Sequence, residues 1–302
     1  MRRDFLSFIC VALFLMEILS GCGGQKATAL VNTLSFDTGG FERLGLDYDA
    51  DDIYVLGSTS DKIIVKEYMN ENKQSYYART STQNGALLIT EGDRPRRSSF
   101  ESYVELYIPQ DYTNSLSLHS TSGTISSEIA LNLSCDFRVD TTSGLVKISN
   151  TTASSITAAS TDGSLSFETI EAGEISIQTT NATTSMNQIN GAISYQSKGG
   201  KLTASGLIGS GSFHASGDGS IDISFADVTG DISAYSKNGT LAVTLPSGLA
   251  FKFLAATKGG SIDTSFTDQL TITDHTVAGT IGVSPEITVE LETKNGTIKA
   301  LG

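Results

Sequence analysis

The sequence contains no tryptophan, and only four prolines, three cysteines and three histidines among its 302 residues. Three cysteines are too few for a disulfide-stabilised scaffold, and four prolines beside 30 glycines exclude a proline-rich linker or a collagen-like chain. Charged residues make up only 18% of the chain, and no helical periodicity extends beyond the N-terminal residues. The composition is typical of an all-β protein with many turns.

Basic residues are scarce as well. The 20 lysines and arginines face 33 acidic residues, which gives a formal net charge of −13. Because a strongly acidic surface repels nucleic acid and anionic lipid headgroups, nucleic acid is excluded as a partner unless the chain carries a local basic patch. Hydrophobic residues make up 39% of the chain, enough for the core of one large or two ordinary domains.

The N-terminus is typical of a bacterial lipoprotein signal peptide. Two arginines open it, an apolar run extends from Phe5 to Met16, and the tetrapeptide Leu19-Ser-Gly-Cys22 resembles the lipobox. The apolar run is too short to span a bilayer as a helix. Glu17 departs from the pattern, and an ordinary signal peptide is the alternative interpretation.

The lipobox resemblance implies cleavage of residues 1–21 and a diacylglycerol, with its palmitate-type chains, on the sulfur of Cys22. We therefore expect a chain anchored to the membrane of the bacterial cell envelope and facing outside the cytoplasm, with residues 22–33 as the lipidated cysteine and a tether. Cys135 would then be the remaining thiol. It shares the apolar alternation of its neighbours, which predicts a buried, unreactive side chain.

Residues 34–112 differ in composition from the rest of the chain. They are predicted to form an N-terminal β cap that supplies the first rungs of the repeat structure described below. Eight of the ten tyrosines lie between residues 30 and 112. Strands are predicted at four short apolar runs: Ile53–Val55, Lys62–Lys66, Ala86–Ile89 and Tyr103–Ile108.

Two short segments of the cap are candidate ligand sites. Asp47–Asp52 is acidic, but it lacks the glycine and the glutamate that an EF-hand loop requires, so a solvated turn is expected instead of a calcium site. Arg94, Arg96 and Arg97 form the only basic cluster outside the signal peptide. Their guanidinium groups could bind a phosphate or carboxylate polymer, and a solvated hairpin tip is the alternative.

A repeat of about 20 residues fills residues 113–302. Each copy reads as a small polar residue, glycine, any residue and then isoleucine, leucine or valine. The glycines of the strong copies are Gly123, Gly144, Gly163, Gly200, Gly219, Gly239, Gly260 and Gly296, and a degenerate copy lies near Asn181.

A second alternating run follows half a period after each glycine, for example Ile156–Ala158 and Ile232–Ala234. One rung alone cannot bury its apolar face, whereas stacked rungs can, because equivalent strands pair in parallel about 4.8 Å apart. The sequence therefore predicts an all-β, single-stranded, parallel β-helix-like solenoid with narrow rungs. We expect the repeated glycines to supply positive φ angles at its corners.

The same motifs resemble a known family. The recurring SGT, DGS and NGT turns, the run Val104–Pro109 that leads into them and the run Glu286–Lys299 resemble the bacterial family named "putative adhesin". That family consists of secreted or lipid-anchored β-strand-repeat proteins of unknown function. The resemblance implies a right-handed β-helix-like fold at the cell surface and supplies no catalytic residues.

The carboxylate and histidine residues are not spaced as a catalytic or metal-binding site requires. Asp222 and Asp263 occupy equivalent repeat positions, but they are separated by about two rungs, too far for a pair of glycosidase carboxylates of the retaining type. His119, His214 and His275 are scattered, and His214 is expected to point outward from its strand. We therefore predict no catalytic residues, no metal site and no cofactor.

The sequence favours a non-catalytic, lipid-anchored adhesion or binding scaffold that engages a surface polymer or a protein. A carbohydrate-active β-helix enzyme is one alternative. An envelope-stress accessory protein that docks a partner through the tyrosine-rich cap is another. The last coil, which ends at Gly302, would expose an unpaired strand edge and permit self-association unless another element covers it.

Overall fold

The computed structural model describes residues 28–266 and 270–302. These residues form 23 strands of one continuous sheet, with 3₁₀ turns at Thr38–Gly40 and Gln74–Tyr76 and no α-helix in either described range. The strands are β1 (Ala29–Asp37), β2 (Arg43–Tyr48), β3 (Asp52–Gly57), β4 (Lys62–Met69), β5 (Arg79–Gln83), β6 (Ala86–Thr90), β7 (Ser102–Ile108), β8 (Ser115–Ser120), β9 (Ile125–Ser127), β10 (Leu131–Asn132), β11 (Asp136–Thr141), β12 (Leu145–Ser160), β13 (Ser164–Thr179), β14 (Thr183–Ser197), β15 (Leu202–Ala215), β16 (Ile221–Ser236), β17 (Leu241–Thr244), β18 (Phe251–Thr257), β19 (Ser261–Thr264), β20 (Leu270–Ile272), β21 (Thr276–Ile281), β22 (Ile287–Thr293) and β23 (Thr297–Leu301).

The strands stack as coils with two main faces. Face A contains the strands that follow the repeated glycines, in the order β1, β4, β7, β3, β9, the first halves of β12 to β16, β17, β23 and β19. Face B runs β5, β6, β2, β8, β11, the second halves of β12 to β16, β22, β18, β21 and β20. Pairing between coils is parallel, and antiparallel pairs occur only near the two ends. The predicted parallel solenoid is confirmed.

The core lies between the two faces. The apolar residue two positions after each repeated glycine points inward, and Val146, Leu165 and Leu202 are at most 1% exposed. The runs half a period later contribute Ile156, Phe213 and their equivalents to the same cluster. Ile262 is only partly buried, because its strand, β19, is the last strand of face A and pairs with one strand, β23, in the described part of the chain.

The repeated glycines are required for close packing, so the prediction of positive φ at these positions is wrong. None of them is among the residues with positive φ. A Cβ atom added at Gly144 would overlap the carbonyl oxygen of Gly123, and one at Gly163 would overlap the carbonyl oxygen of Gly144. In the coils that carry the repeated glycine, it lies directly against the backbone of the neighbouring coil, and this contact leaves no room for a side chain at these positions.

Positive φ angles occur instead six residues later, where the chain leaves face A. Asn150, Thr169, Gln188 and Gly206 occupy this corner in four successive coils, with φ between 49° and 66°. Only one of the four is glycine. Asn tolerates this conformation well, whereas a β-branched threonine adopts it at a cost.

A buried hydroxyl lies three residues before most of the repeated glycines. Thr141 Oγ1 accepts the amide hydrogen of Gly144 at 2.8 Å, and Ser236 Oγ accepts that of Gly239 at 3.0 Å. The degenerate copy has Ala182 in the glycine position, and there the buried Thr179 hydroxyl has no hydrogen-bond partner among the described residues. The degenerate copy thus keeps the coil but loses the local hydrogen bond.

Coils near both ends do not stack in chain order. The coil β2–β3 lies between β6–β7 on one side and β8–β9 on the other. The last coil, β22–β23, lies between β16–β17 and β18–β19. The C-terminal coil is therefore paired on both sides, so of the two possibilities that the sequence left open, the structure shows the covered edge.

Three boundaries and placements follow from the structure. Residues 29–33, assigned to the tether by the sequence, are part of β1, which pairs with β4. The coils β2–β3 and β6–β7 show that residues 34–112 do supply rungs of the solenoid.

The Cys135 thiol is exposed, because the chain bends between β10 and β11 and interrupts the alternation that predicted its burial. The signal peptide and the lipidation site Cys22 lie outside the described residues.

Candidate functional site

The most distinctive surface is a cluster of tyrosines on the outer side of face A, near the N-terminal end. The strands β4, β7 and β3 are neighbours, and their inward positions are filled by apolar side chains such as Val65, Leu106 and Val55. Alternation therefore turns the intervening residues outward. We call the resulting surface the tyrosine face; it consists of Tyr54, Lys66, Tyr68, Tyr103, Glu105 and Tyr107.

The rings of the tyrosine face contact one another. Tyr68 and Tyr103 are stacked, with their centroids 4.5 Å apart and an interplanar angle of 6°. Tyr54 meets Tyr103 edge-on at 5.9 Å. Because each ring is held by a neighbouring strand and a neighbouring ring, the cluster is ordered before any partner binds, which lowers the entropic cost of binding.

Charged groups surround the rings. The Lys66 ammonium lies 4.4 Å from the centroid of the Tyr107 ring, a cation–π contact. The Tyr107 hydroxyl donates a hydrogen bond to Glu105 at 2.8 Å, and the Tyr54 hydroxyl donates one to Asp52 at 3.1 Å. Partial burial, followed by the hydrogen bond to Glu105, raises the pKa of Tyr107 to about 12.

The pKa of Tyr68 is also raised to about 12, first by partial burial and then by its interaction with Glu105. The phenols therefore stay protonated at physiological pH and can donate hydrogen bonds. Leu30, opposite Tyr68 in the β1–β4 pair, leaves 49% of its surface exposed and extends the apolar area. Aromatic rings with hydroxyl groups at their edges are the surface type that is enriched at protein interfaces.

The arginine cluster of the sequence is divided by the structure. Arg94 points inward, and its guanidinium forms ion pairs with Asp51 and Glu67, all three side chains being at most 4% exposed. Burial lowers the pKa of Arg94 to about 10 and raises the pKa of Glu67. Glu67 also accepts hydrogen bonds from Asn32 at 2.7 Å and from the Ala78 amide at 2.9 Å. Arg94 thus has a structural role inside the cap.

The other two arginines lie on the surface and are paired with carboxylates. Arg96 contacts Asp49 at 2.9 Å, and Arg97 contacts Glu71. All three arginines line one cavity of about 460 Å³, together with Asp49, Asp51, Glu91 and Glu101. Because four carboxylates accompany the three guanidinium groups, the cavity has no surplus of positive charge. Asp51 is buried, which corrects the expectation that the whole segment 47–52 is a solvated turn.

The two aspartates considered for hydrolysis lie farther apart than the chain order suggests. The register places Asp222 beside Ala242, Ala242 beside Lys299 and Lys299 beside Asp263. Three strand spacings, about 14 Å, therefore separate the two carboxylates along face A. His214 is exposed on face B, as its position in the alternation predicts. Residues 28–266 and 270–302 contain no cluster of three or more histidine, cysteine or acidic side chains suited to a metal ion.

A comparison with protein families decides the classification. The sequence model of the family Toastrack DUF4097 matches residues 41–300. The chain belongs to the Toastrack DUF4097 family. The match covers the coils on both faces as well as the tyrosine-rich cap, so the Toastrack unit includes both. It also agrees with the resemblance noted from the repeated turns of the sequence.

The Toastrack chain is similar to several solved structures, at low identity. A "putative adhesin" from Bacteroides fragilis has a TM-score of 0.47 at 15% identity, covering 92% of this chain and all of that one. A "putative lipid binding protein" from Parabacteroides distasonis has a TM-score of 0.46 at 13% identity, with 90% and 96% covered. No curated protein matches the sequence. In the described part of the Toastrack chain, no helix has the length and apolar character needed to cross a bilayer.

Only part of the tyrosine face could be predicted from the sequence. The abundance of tyrosine in residues 30–112 was visible, but the residues that meet, Tyr54, Tyr68 and Tyr103, come from three strands. Their order in the Toastrack sheet is β4, β7, β3, because β7 pairs with both of the others. The period-two alternation of each strand could have placed the rings outward, but it does not state which strands are neighbours.

Proposed function

We propose that this protein is a non-catalytic binding scaffold of the bacterial cell envelope, anchored through lipid on Cys22 and engaging a surface polymer or protein through the tyrosine face. The observation that supports the proposal is the ordered cluster of Tyr54, Tyr68 and Tyr103 on an exposed sheet surface. Rigid aromatic side chains supply contact area at a low entropic cost, which is why they dominate many binding surfaces.

The position of the tyrosine face fits a tethered protein. β1 begins at Ala29 and places Leu30 opposite Tyr68. Ala29 lies seven positions after Cys22, and a chain of that length reaches at most about 25 Å. A lipid on Cys22 would therefore hold the tyrosine face close to the membrane, where it could meet polymers and proteins of the envelope.

Binding can be tested with the lipidated full-length chain on whole cells, extracellular matrix and a glycan array. We expect the double variant Tyr68→Ala/Tyr103→Ala to lose most of the binding. Tyr77→Ala is the matched control, since Tyr77 is a partly exposed cap tyrosine outside the face whose hydroxyl contacts Asn72. Absence of binding to every surface, or equal binding by the double variant and the wild type, would refute the proposal.

The anchor can be tested separately. Cys22→Ala should move the protein from the membrane fraction to the soluble or secreted fraction, and metabolic labelling with a palmitate analogue should be lost. Labelling that persists in the variant would show that the lipid is attached elsewhere or that the signal is of another type.

The two alternative functions make different demands. A carbohydrate-active enzyme would release new reducing ends from a panel of polysaccharides, and the separation of Asp222 from Asp263 gives no support for it. An envelope-stress accessory protein would also use the tyrosine face, but it would bind a membrane protein instead of a polymer. Self-association by strand pairing would use β1, β5, β19 or β20, which are the outermost strands of the two faces among the described residues.

A further inference from the structure

Because the last coil, β22–β23, lies between β16–β17 and β18–β19, three lysines form a row that chain order alone does not predict. Lys237, Lys294 and Lys258 occupy the same position in three neighbouring coils. The Lys294 amide donates to the Lys237 carbonyl at 3.2 Å, and the Gly259 amide donates to the Lys294 carbonyl at 2.8 Å. In the described residues, no carboxylate lies within ion-pair distance of these three ammonium groups. We call Lys237, Lys294 and Lys258 the lysine row.

An open pocket of about 530 Å³ lies beside the lysine row on face B. Its lining includes Tyr235, Ala256, Lys258, His275, Glu292 and Lys294. In the sheet register, Tyr235 is followed by Glu292 and then by Ala256. The small side chain of Ala256 leaves the space that opens the pocket.

An aromatic ring forms one wall of the pocket. His214 stacks on Tyr235 with the ring centroids 4.7 Å apart and an interplanar angle of 18°. One side of the phenol is thus covered by the imidazole. The Thr257 amide donates to the carbonyl oxygen of His275 at 2.9 Å, which fixes the turn carrying His275 against β18. The pocket is therefore built from strands and from a turn that is hydrogen-bonded to one of them.

The charge of this pocket differs from that of the molecule. The chain has a formal net charge of −13, yet the pocket is lined by two lysines and one glutamate, with Lys237 on the adjacent coil. Asp218 lies one coil beyond Lys237 and accepts a hydrogen bond from Asn238. A ligand with well-spaced anionic groups would be attracted here, whereas a dense polyanion such as nucleic acid would be repelled by the surrounding surface.

We propose that the pocket and the lysine row bind an acidic polysaccharide, with carboxylate or phosphate groups on the lysines and a sugar ring against Tyr235. The row follows the stacking direction of the coils, about 4.8 Å per coil, so a chain-like ligand can contact successive lysines. This inference goes beyond the proposed function, because it uses other residues at the opposite end of the solenoid and does not depend on the tyrosine face.

The test measures binding of full-length protein to polygalacturonate, a phosphomannan, neutral dextran, inorganic phosphate and single-stranded DNA by isothermal titration calorimetry. We expect one or both acidic polysaccharides to bind and dextran not to bind; which of the two binds identifies the anionic group. Lys258→Gln/Lys294→Gln should weaken binding about tenfold or more, since hydrogen bonds to charged groups are lost. The matched control is Lys147→Gln/Lys299→Gln, which removes the same charge from face A.

A second variant separates a sugar site from a simple anion site. Tyr235→Ala should weaken binding of the acidic polysaccharide and leave any binding of inorganic phosphate unchanged. Circular dichroism and thermal unfolding confirm that each variant is folded. The inference is overturned if neither acidic polysaccharide binds, if the control variant weakens binding equally, or if DNA binds more tightly than both. Tyr68→Ala/Tyr103→Ala should bind the acidic polysaccharide normally, so failure here is distinguishable from failure of the proposed function.

Discussion

At the scale of single residues, the glycine of each coil acts through the space it leaves empty. The Cα of Gly144 faces the carbonyl oxygen of Gly123, and the same contact recurs from coil to coil. A methyl group at this position has no direction in which to move, because the nearest colliding atom, the carbonyl oxygen of Gly123, belongs to the backbone. The glycines thus set the distance between coils at one edge of face A.

Gly144→Ala is therefore expected to destabilise the protein by about 3 kcal/mol or more, the scale of a strongly disruptive core substitution. Gly40→Ala is the control, because a Cβ atom there meets no atom within 4 Å. The free energy of unfolding from urea titration measures both. Equal effects of the two substitutions would contradict the role assigned to the glycine contact.

Arg94 is a second residue whose environment decides its role. Its guanidinium neutralises two buried carboxylates, Asp51 and Glu67. Arg94→Met would leave both acids buried without a counter-charge, and we expect a loss of about 3–5 kcal/mol in unfolding free energy. Arg96→Met removes an exposed partner of Asp49 and should change stability by less than about 1 kcal/mol. Similar, small effects of both would show that Arg94 is not part of a structural ion cluster.

The different environments of Arg94 and Arg96 could not be predicted from the sequence. Both arginines lie in one short basic cluster, and composition gives no reason to treat them differently. The partners of Arg94 are 27 and 43 residues away, so only the pairing of strands reveals its burial. Cys135 is a related case, since alternation predicted burial and a bend between two short strands left the thiol exposed.

At the scale of elements, the positions of the strands could be predicted better than the pairing between them. Period-two alternation located the inward residues of β12 to β16, and the repeat of about 20 residues predicted parallel stacking. Alternation does not specify which strand lies next to which, because every coil presents the same kind of edge. The tyrosine face was therefore visible only as an excess of tyrosine, and chain order alone does not place Lys294 between Lys237 and Lys258.

The tyrosine face should also affect stability at alkaline pH. A phenol in the unfolded chain ionises near pH 10, whereas partial burial raises the pKa of Tyr68 to about 12 in the folded protein. The folded state holds this proton more tightly, so its contribution to stability is complete below about pH 10 and is lost as the pH rises to about 12.

Tyr68→Phe should therefore lose less stability than the wild type between pH 10 and pH 12. Urea titrations of both proteins at several pH values in this range measure the difference, and lysine ionisation, common to both, cancels in the comparison. An identical decline in the two proteins would mean that Tyr68 ionises equally easily in the folded and the unfolded state.

At the scale of the whole molecule, the two ends are built alike. At the N-terminal end, the coil β6–β7 lies outside the first coil, β2–β3. At the C-terminal end, the coil β18–β19 lies outside the last coil, β22–β23. Antiparallel strands then complete each end, with β1 and β5 at one and β20 and β21 at the other. The stability of both ends therefore depends on pairing between strands that are distant in sequence. In a solenoid stacked in chain order, each coil contacts only its neighbours in the sequence.

A truncated chain that ends at residue 285 tests this arrangement. It lacks β22 and β23, so β18 and β19 lose the parallel partners that connect them to the other coils. We expect the amides of β18 to lose hydrogen-exchange protection while those of β13 and β14 keep it, because opening is confined to the coils that lost their neighbours. A solenoid stacked in chain order would lose only its last coil and leave β18 protected.

A chain that ends at residue 246 is the matched control. It removes β18 and β19 together with β22 and β23, and it leaves the coils from β12 to β17 in unbroken contact. We expect this chain to keep hydrogen-exchange protection at β17, which still pairs with β16. The chain that ends at residue 285 should protect β18 less well, although it is 39 residues longer. Retained protection of β18 in the chain ending at 285 would show that insertion of the last coil does not hold this end together.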